Sequence, residues 1–225
     1  MTKNELRDWQ AHPSYTHNRE IGAIKQLLDT PPKALFVGDY GATIASFFDD
    51  LDTTHLLAQS ITDAPETVDH HYNVNDYNEL PELGEYDTII AAWLDWPKRP
   101  RNLIVSLREA LAEDSALIIE TADETSQYCT VLESLQPEIK GSIYQERLNL
   151  LELLTKALNV ERYQVSTSYH FQTIDDFILY FNQHANNEWN RKLSKEEKNN
   201  LGTLGERLGY ETVGERSVLL KATKK

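Results

Sequence analysis

The residues best suited to chemistry are two glycines at a chain reversal. Gly38 and Gly41, in Gly38-Asp39-Tyr40-Gly41, follow the apolar run Ala34-Leu35-Phe36-Val37 and precede the helically spaced Ile44, Phe47 and Phe48. Glycine accepts backbone angles closed to other residues and lets a ligand approach the main chain, while a helix start presents free N–H groups. The chemistry this suits is cofactor binding; the plainer alternative is a turn and nothing more. Two groups could handle a proton. Asp95, just past the apolar run Tyr86 to Trp93, could orient or deprotonate an acceptor, and His170 is a second candidate. Their plain readings are a solvated loop aspartate and a histidine packed between Tyr169 and Phe171. The tandem His70-His71 suggests a metal, but adjacent strand residues point to opposite faces, and no metal site is expected. The single cysteine, Cys129, excludes an intrachain disulfide.

The elements that must position these residues alternate. A helix capped by Asn18 carries Ile21, Ile24, Leu27 and Leu28 on one face and stops at Pro31-Pro32. The Gly38 segment then reads as strand, tight turn, helix. Strands are expected at Thr54 to Ala58 and, more weakly, near His71 to Val74. Tyr86 to Trp93 is apolar on both faces, as in a central strand covered by helices on both sides. After Pro97 and Pro100, a stripe of Leu103, Ile104, Leu107 and Leu111 predicts a helix starting after Asn102, and Ala116 to Thr121 the next strand. Such alternation predicts right-handed crossovers and an α/β, doubly wound, mostly parallel sheet. Later come a helix over Ile143 to Leu158, a strand over Arg162 to Phe171 and a final strand over Val218 to Ala222. Between those strands, Thr173 with Asp176 and Ser194 with Glu197 have capping-box spacing, and Gly209 closes the second helix.

Composition sets the outer bounds. A chain of 225 residues fits one domain over 1–225, with an N-terminal arm at 1–17 and a helical insertion at 173–209 before the last strand. With 36 acidic against 22 basic residues the net charge is -14, which repels phosphate backbones and argues against nucleic acid as a partner. No apolar stretch approaches the roughly 20 residues that span a bilayer, so no membrane partner and a cytoplasmic location are expected.

From Tyr86-Asp87-Thr88-Ile89-Ile90-Ala91-Ala92-Trp93 through Leu107-Arg108-Glu109-Ala110-Leu111 to Ala116-Leu117-Ile118-Ile119-Glu120, the chain resembles a class I S-adenosylmethionine-dependent methyltransferase of the small-molecule type. The later Thr173-Ile174-Asp175-Asp176-Phe177, Ser194-Lys195-Glu196-Glu197 and Ser217-Val218-Leu219-Leu220-Lys221-Ala222 are similar to the end of such enzymes. The resemblance implies a Rossmann-like methyltransferase fold of seven strands, the last antiparallel, with a small helical cap. It implies S-adenosylmethionine as cofactor and methyl transfer to a small molecule. It would place the cofactor on Gly38, Asp39, Tyr40 and Gly41, the ribose on Gln59 and Ser60, the adenine on Asp76 and Tyr77, and Trp93 beside them. Trp9 and Tyr15 of the arm, with Trp96, Tyr128 and Tyr144, would line the acceptor pocket. The glycine motif is degenerate: Phe36 stands where the family has an acidic residue, Tyr40 and Ala42 replace glycines, and no carboxylate follows the second strand.

Rival enzyme classes lack their signatures. There is no full G-x-G-x-x-G, no Gly-Lys-Ser/Thr loop and no G-x-S-x-G. The degenerate motif leaves open a catalytically inactive binding or scaffold protein of the same fold, or a module for another nucleoside. A homodimer or a protein partner is compatible with either.

Overall fold

The computed structural model describes residues 17–28, 33–38, 44–48, 51–59, 66–74, 77, 81–92, 100–139 and 141–225. Among them are strands β1 (Lys33–Val37), β2 (Thr53–Ala58), β3 (His70–Asn73), β4 (Tyr86–Ala92), β5 (Leu111–Ala122), β6 (Leu158–His170) and β7 (Thr212–Lys224). The helices are α1 (His17–Leu27), α2 (Arg101–Glu109), α3 (Gln127–Leu135), α4 (Ser142–Ala157), α5 (Ile174–Glu188) and α6 (Lys195–Leu208).

The strands form one seven-stranded sheet in the order β3-β2-β1-β4-β5-β7-β6. β1 pairs in parallel with β2 and β4, β2 with β3, and β4 with β5. β7 runs the other way. Asn159 Nδ2, near the start of β6, donates to the Lys224 carbonyl at the end of β7 (3.2 Å), while Phe171, past the end of β6, donates its N–H to Glu211, just before β7 (3.3 Å). The same reversal relates β7 to β5, through the Lys224–Glu113 ion pair at 3.6 Å and the Asp123 N–H to Arg216 carbonyl bond at 2.7 Å. The expected fold, mostly parallel with the last strand antiparallel, is therefore present.

The chain groups into two compact units, one of Ile21–Thr121, Gln145–Gln164 and Val218–Lys225, the other of Ala122–Tyr144, Val165–Ser217 and the described part of Met1–Glu20. In the first, strand parity sorts side chains between two apolar layers. Leu35 and Val37 register with Ile89 and Ala91, which register with Leu117 and Ile119, and all of them share a core with Leu103, Ile104 and Leu107 of α2 and Leu150 and Leu154 of α4. The alternate residue Phe36 is fully buried too, with its ring 5.5 Å from that of Phe48. β1 is therefore apolar throughout because it is covered on both faces.

In the second unit, Phe177, Tyr180 and Phe181 of α5 meet Leu201 and Leu204 of α6 and Tyr128, Val131 and Leu132 of α3. Both predicted capping boxes are formed. Thr173 and Asp176, and Ser194 and Glu197, each exchange side-chain and backbone hydrogen bonds, and Gly209 ends α6 at φ 77°. α3 was not expected, although Ser126 caps it, accepting from Cys129 N–H at 3.1 Å, and Tyr128, Val131, Leu132 and Leu135 have helical spacing.

Boundaries differ where tertiary pairing overrides local pattern. α1 and α2 each begin at or before the predicted cap, α2 behind Pro100 with no side-chain cap. Leu111 belongs to β5 and not to the helical stripe, because it pairs with Tyr86. Four residues then interrupt the ladder, with Asp114 at φ 61°, and regular pairing resumes at Thr88↔Ala116, the predicted strand start. β6 and β7 are longer than predicted, 13 residues each, because each supplies pairing groups to the other.

Candidate functional site

The carboxyl ends of β1, β2 and β3 come together through backbone bonds that continue their ladders. Gly38 N–H donates to the Leu57 carbonyl at 2.8 Å, and Val74 N–H to the Ala58 carbonyl at 3.0 Å. Gly38 has φ 95°, a conformation that L side chains rarely adopt, so the glycine is required by the turn itself. It lies where the sheet turns from the β1-β2-β3 direction to β4-β5, the place where open α/β sheets hold ligands. Gln59 follows β2 directly and is exposed. Tyr77 is 2% exposed and belongs to the apolar core with Val74. One residue at this edge was not singled out from sequence: Glu120 registers with Ala92, the last residue of β4, and is 1% exposed. A carboxylate closing the apolar run Ala116 to Ile119 was the available signal. Asp39, Tyr40, Gly41, Ser60, Asp76, Trp93, Asp95 and Trp96, and Trp9 and Tyr15 of the arm, lie outside the described residues.

The second unit holds two further candidates. His170 is exposed at the end of β6, and both ring nitrogens are engaged, Nε2 with Ser168 Oγ at 3.0 Å and Nδ1 with Thr212 Oγ1 at 3.2 Å. Tyr128 is buried, stacked on Tyr169 at 5.0 Å and beside Phe181 at 5.5 Å. Its hydroxyl lies 3.3 Å from His184 Nδ1, a partner that sequence reasoning missed. Burial pushes the Tyr128 hydroxyl pKa well up and that of His184 down to about 4. A groove of about 250 Å³ between α3 and α6, lined by Leu135, Leu201 and Leu204 with Ser134, Asn200 and Arg207 among its polar residues, contains none of these residues. Among the described residues no group of three or more His, Cys, Asp or Glu is arranged to hold a metal ion. No described helix is long and apolar enough to cross a membrane.

No family model and no curated protein matches the sequence. Solved structures do match the fold. A SAM-dependent methyltransferase from Thermotoga maritima has a TM-score of 0.57 at 15% identity, with 99% of this chain and 95% of that one covered. A protein from Bacillus halodurans C-125 described as a methyltransferase has a TM-score of 0.58 at 12% identity, over 90% and 97%. The N-methyltransferase NodS from Bradyrhizobium japonicum WM9, in complex with S-adenosyl-l-homocysteine, reaches 0.50 at 11% identity, over 99% and 98%. The chain has the class I S-adenosylmethionine-dependent methyltransferase fold.

Proposed function

We propose that this chain is an S-adenosylmethionine-dependent methyltransferase acting on a small-molecule acceptor. The observation that carries this is the left-handed Gly38 at the carboxyl end of β1, at the reversal point of a sheet ordered β3-β2-β1-β4-β5-β7-β6. The turn is compatible with the cofactor on one further count. Phe36, standing where the resemblance has an acidic residue, has its ring in the apolar layer with Phe48.

The bound cofactor supplies a methyl group on a positively charged sulfur, a good leaving group. The protein's task is then mainly alignment. In this proposal Gly38, Asp39, Tyr40 and Gly41 receive the cofactor, Gln59 and Ser60 hydrogen-bond the ribose, and Asp76, Tyr77 and Trp93 border the adenosyl group. Trp9, Tyr15, Trp96 and Tyr128 serve the acceptor. Asp95 takes a proton from the acceptor where one must leave. His170 can do so only by giving up its bond to Ser168 or Thr212.

Calorimetric titration of the folded protein with S-adenosylmethionine and S-adenosylhomocysteine is the test. Wild type binds, and Asp76→Ala weakens binding by at least about tenfold, or 1.4 kcal/mol, without changing the melting temperature. Unchanged affinity in Asp76→Ala removes that residue from the site. A flat titration of folded wild type overturns the enzyme and leaves the binding or scaffold protein.

A further inference from the structure

We propose that His55 and His70 form a two-histidine site for a divalent transition-metal ion of the zinc, nickel and copper class, on the β2–β3 pair. The two residues are partners in the parallel register of β2 and β3, so their side chains leave the sheet on the same face. Their ring centroids are 5.3 Å apart, with the planes inclined at 55°. An ion about 2.0–2.1 Å beyond one nitrogen of each ring, in tetrahedral arrangement, sets the ring centres roughly 5 Å apart. The observed separation of the rings therefore matches that of two histidines sharing one ion.

His55 is also oriented from behind. Its Nδ1 lies 2.7 Å from the hydroxyl of Tyr86, a residue 1% exposed, and that hydroxyl donates to Tyr72 at 3.4 Å. With Nδ1–H donating to the Tyr86 oxygen, the lone pair for an ion is the one on Nε2. Histidines that ligate metals are held by this kind of second partner, which fixes both tautomer and ring direction. His70 is exposed, edge-on to Tyr72 at 4.4 Å, so water can complete the coordination. Nearby charges act in opposite senses. Asp69, whose Oδ2 accepts from Thr54 N–H at 2.7 Å, favours a cation, while Lys33, with Nζ 4.6 Å from the Tyr86 ring centroid, opposes one.

The tandem pair is not the chelate. His71 registers with Leu56 and leaves the sheet on the other face, as expected from sequence. The partner of His70 is 15 positions upstream, brought there by the register alone. β3 has only four residues and none is fully buried, so an ion shared with β2 would fasten this strand.

The test is calorimetric titration of the untagged full chain with Zn²⁺ near neutral pH, repeated with Ni²⁺, alongside thermal melting. Wild type takes up one ion per chain and melts higher with metal present. His55→Ala and His70→Ala each weaken binding by at least about tenfold and lose the melting shift, Tyr86→Phe weakens it by about tenfold, and His71→Ala binds as wild type does. Absence of uptake by folded wild type overturns the proposal. So does binding by His55→Ala and His70→Ala equal to wild type, which would point to diffuse binding by carboxylates, or an equal loss in His71→Ala, which would move the ligand to the other face of the sheet.

Discussion

His184 shows how a single buried side chain sets a pH dependence. Its Nδ1 lies 3.3 Å from the Tyr128 hydroxyl and its ring stands edge-on to Trp189 at 5.4 Å. Burial lowers its pKa from the ordinary 6.5 to about 4. Between those values the unfolded chain binds a proton that the folded chain refuses. Stability is therefore level above pH 6.5 and falls as the pH drops towards 4, by on the order of 2 kcal/mol, the residue as a whole being half-buried. Glu197 acts in a lower window. Hydrogen bonds from Ser194 N–H and Arg191 hold its pKa down to about 2, so its contribution is lost only as the pH falls from 4.5 through 2. Urea midpoints at pH 7.5, 5.5 and 4.5 should converge between wild type and His184→Gln as the pH falls. Equal pH slopes in the two proteins would remove His184 as the cause.

Among the elements, the crossing of α5 and α6 depends on one missing side chain. A Cβ on Gly205 would lie 2.7 Å from Phe177 Cε1 and 2.9 Å from Ile174 Cδ1, so the helices approach over a bare backbone. Gly205→Ala should destabilise by about 1–3 kcal/mol through overpacking, despite the better helix propensity of alanine. Among the described residues no atom lies within 4 Å of such a Cβ on Gly22 in α1, and Gly22→Ala should stabilise by about 0.5–1 kcal/mol. Chemical denaturation of the two variants reads both signs, and a stabilising Gly205→Ala would mean that the crossing yields easily. The capping boxes at Thr173 and Ser194 were legible because a cap is a contact between residues three apart. The start of β5 was not. Leu111 fits a helical stripe, and only its pairing with Tyr86 assigns it to the sheet.

For the molecule as a whole, a net charge of -14 makes self-repulsion a general cost of compactness. Raising ionic strength from about 0.01 M to about 0.15 M shortens the screening length from roughly 30 Å to 8 Å. The melting temperature should rise by a few degrees over that range. A fall instead would show that ion pairs such as Arg191–Glu197, at 2.6 Å, outweigh the repulsion.

The order of the strands and of every described helix but α3, the central place of β4 and the need for glycine at residue 38 were readable from the chain, because apolar period, caps and turns are local properties. Which residues become neighbours across the sheet was not. His55 meets His70, Ala92 meets Glu120 and Tyr128 meets His184 only after register and helix packing are set. Those contacts join positions far apart in the chain, and long-range pairing depends on how whole elements bury their faces. The sequence by itself determined the kind of sheet and where its chain turns back; only the tertiary structure decided which distant side chains stand beside one another.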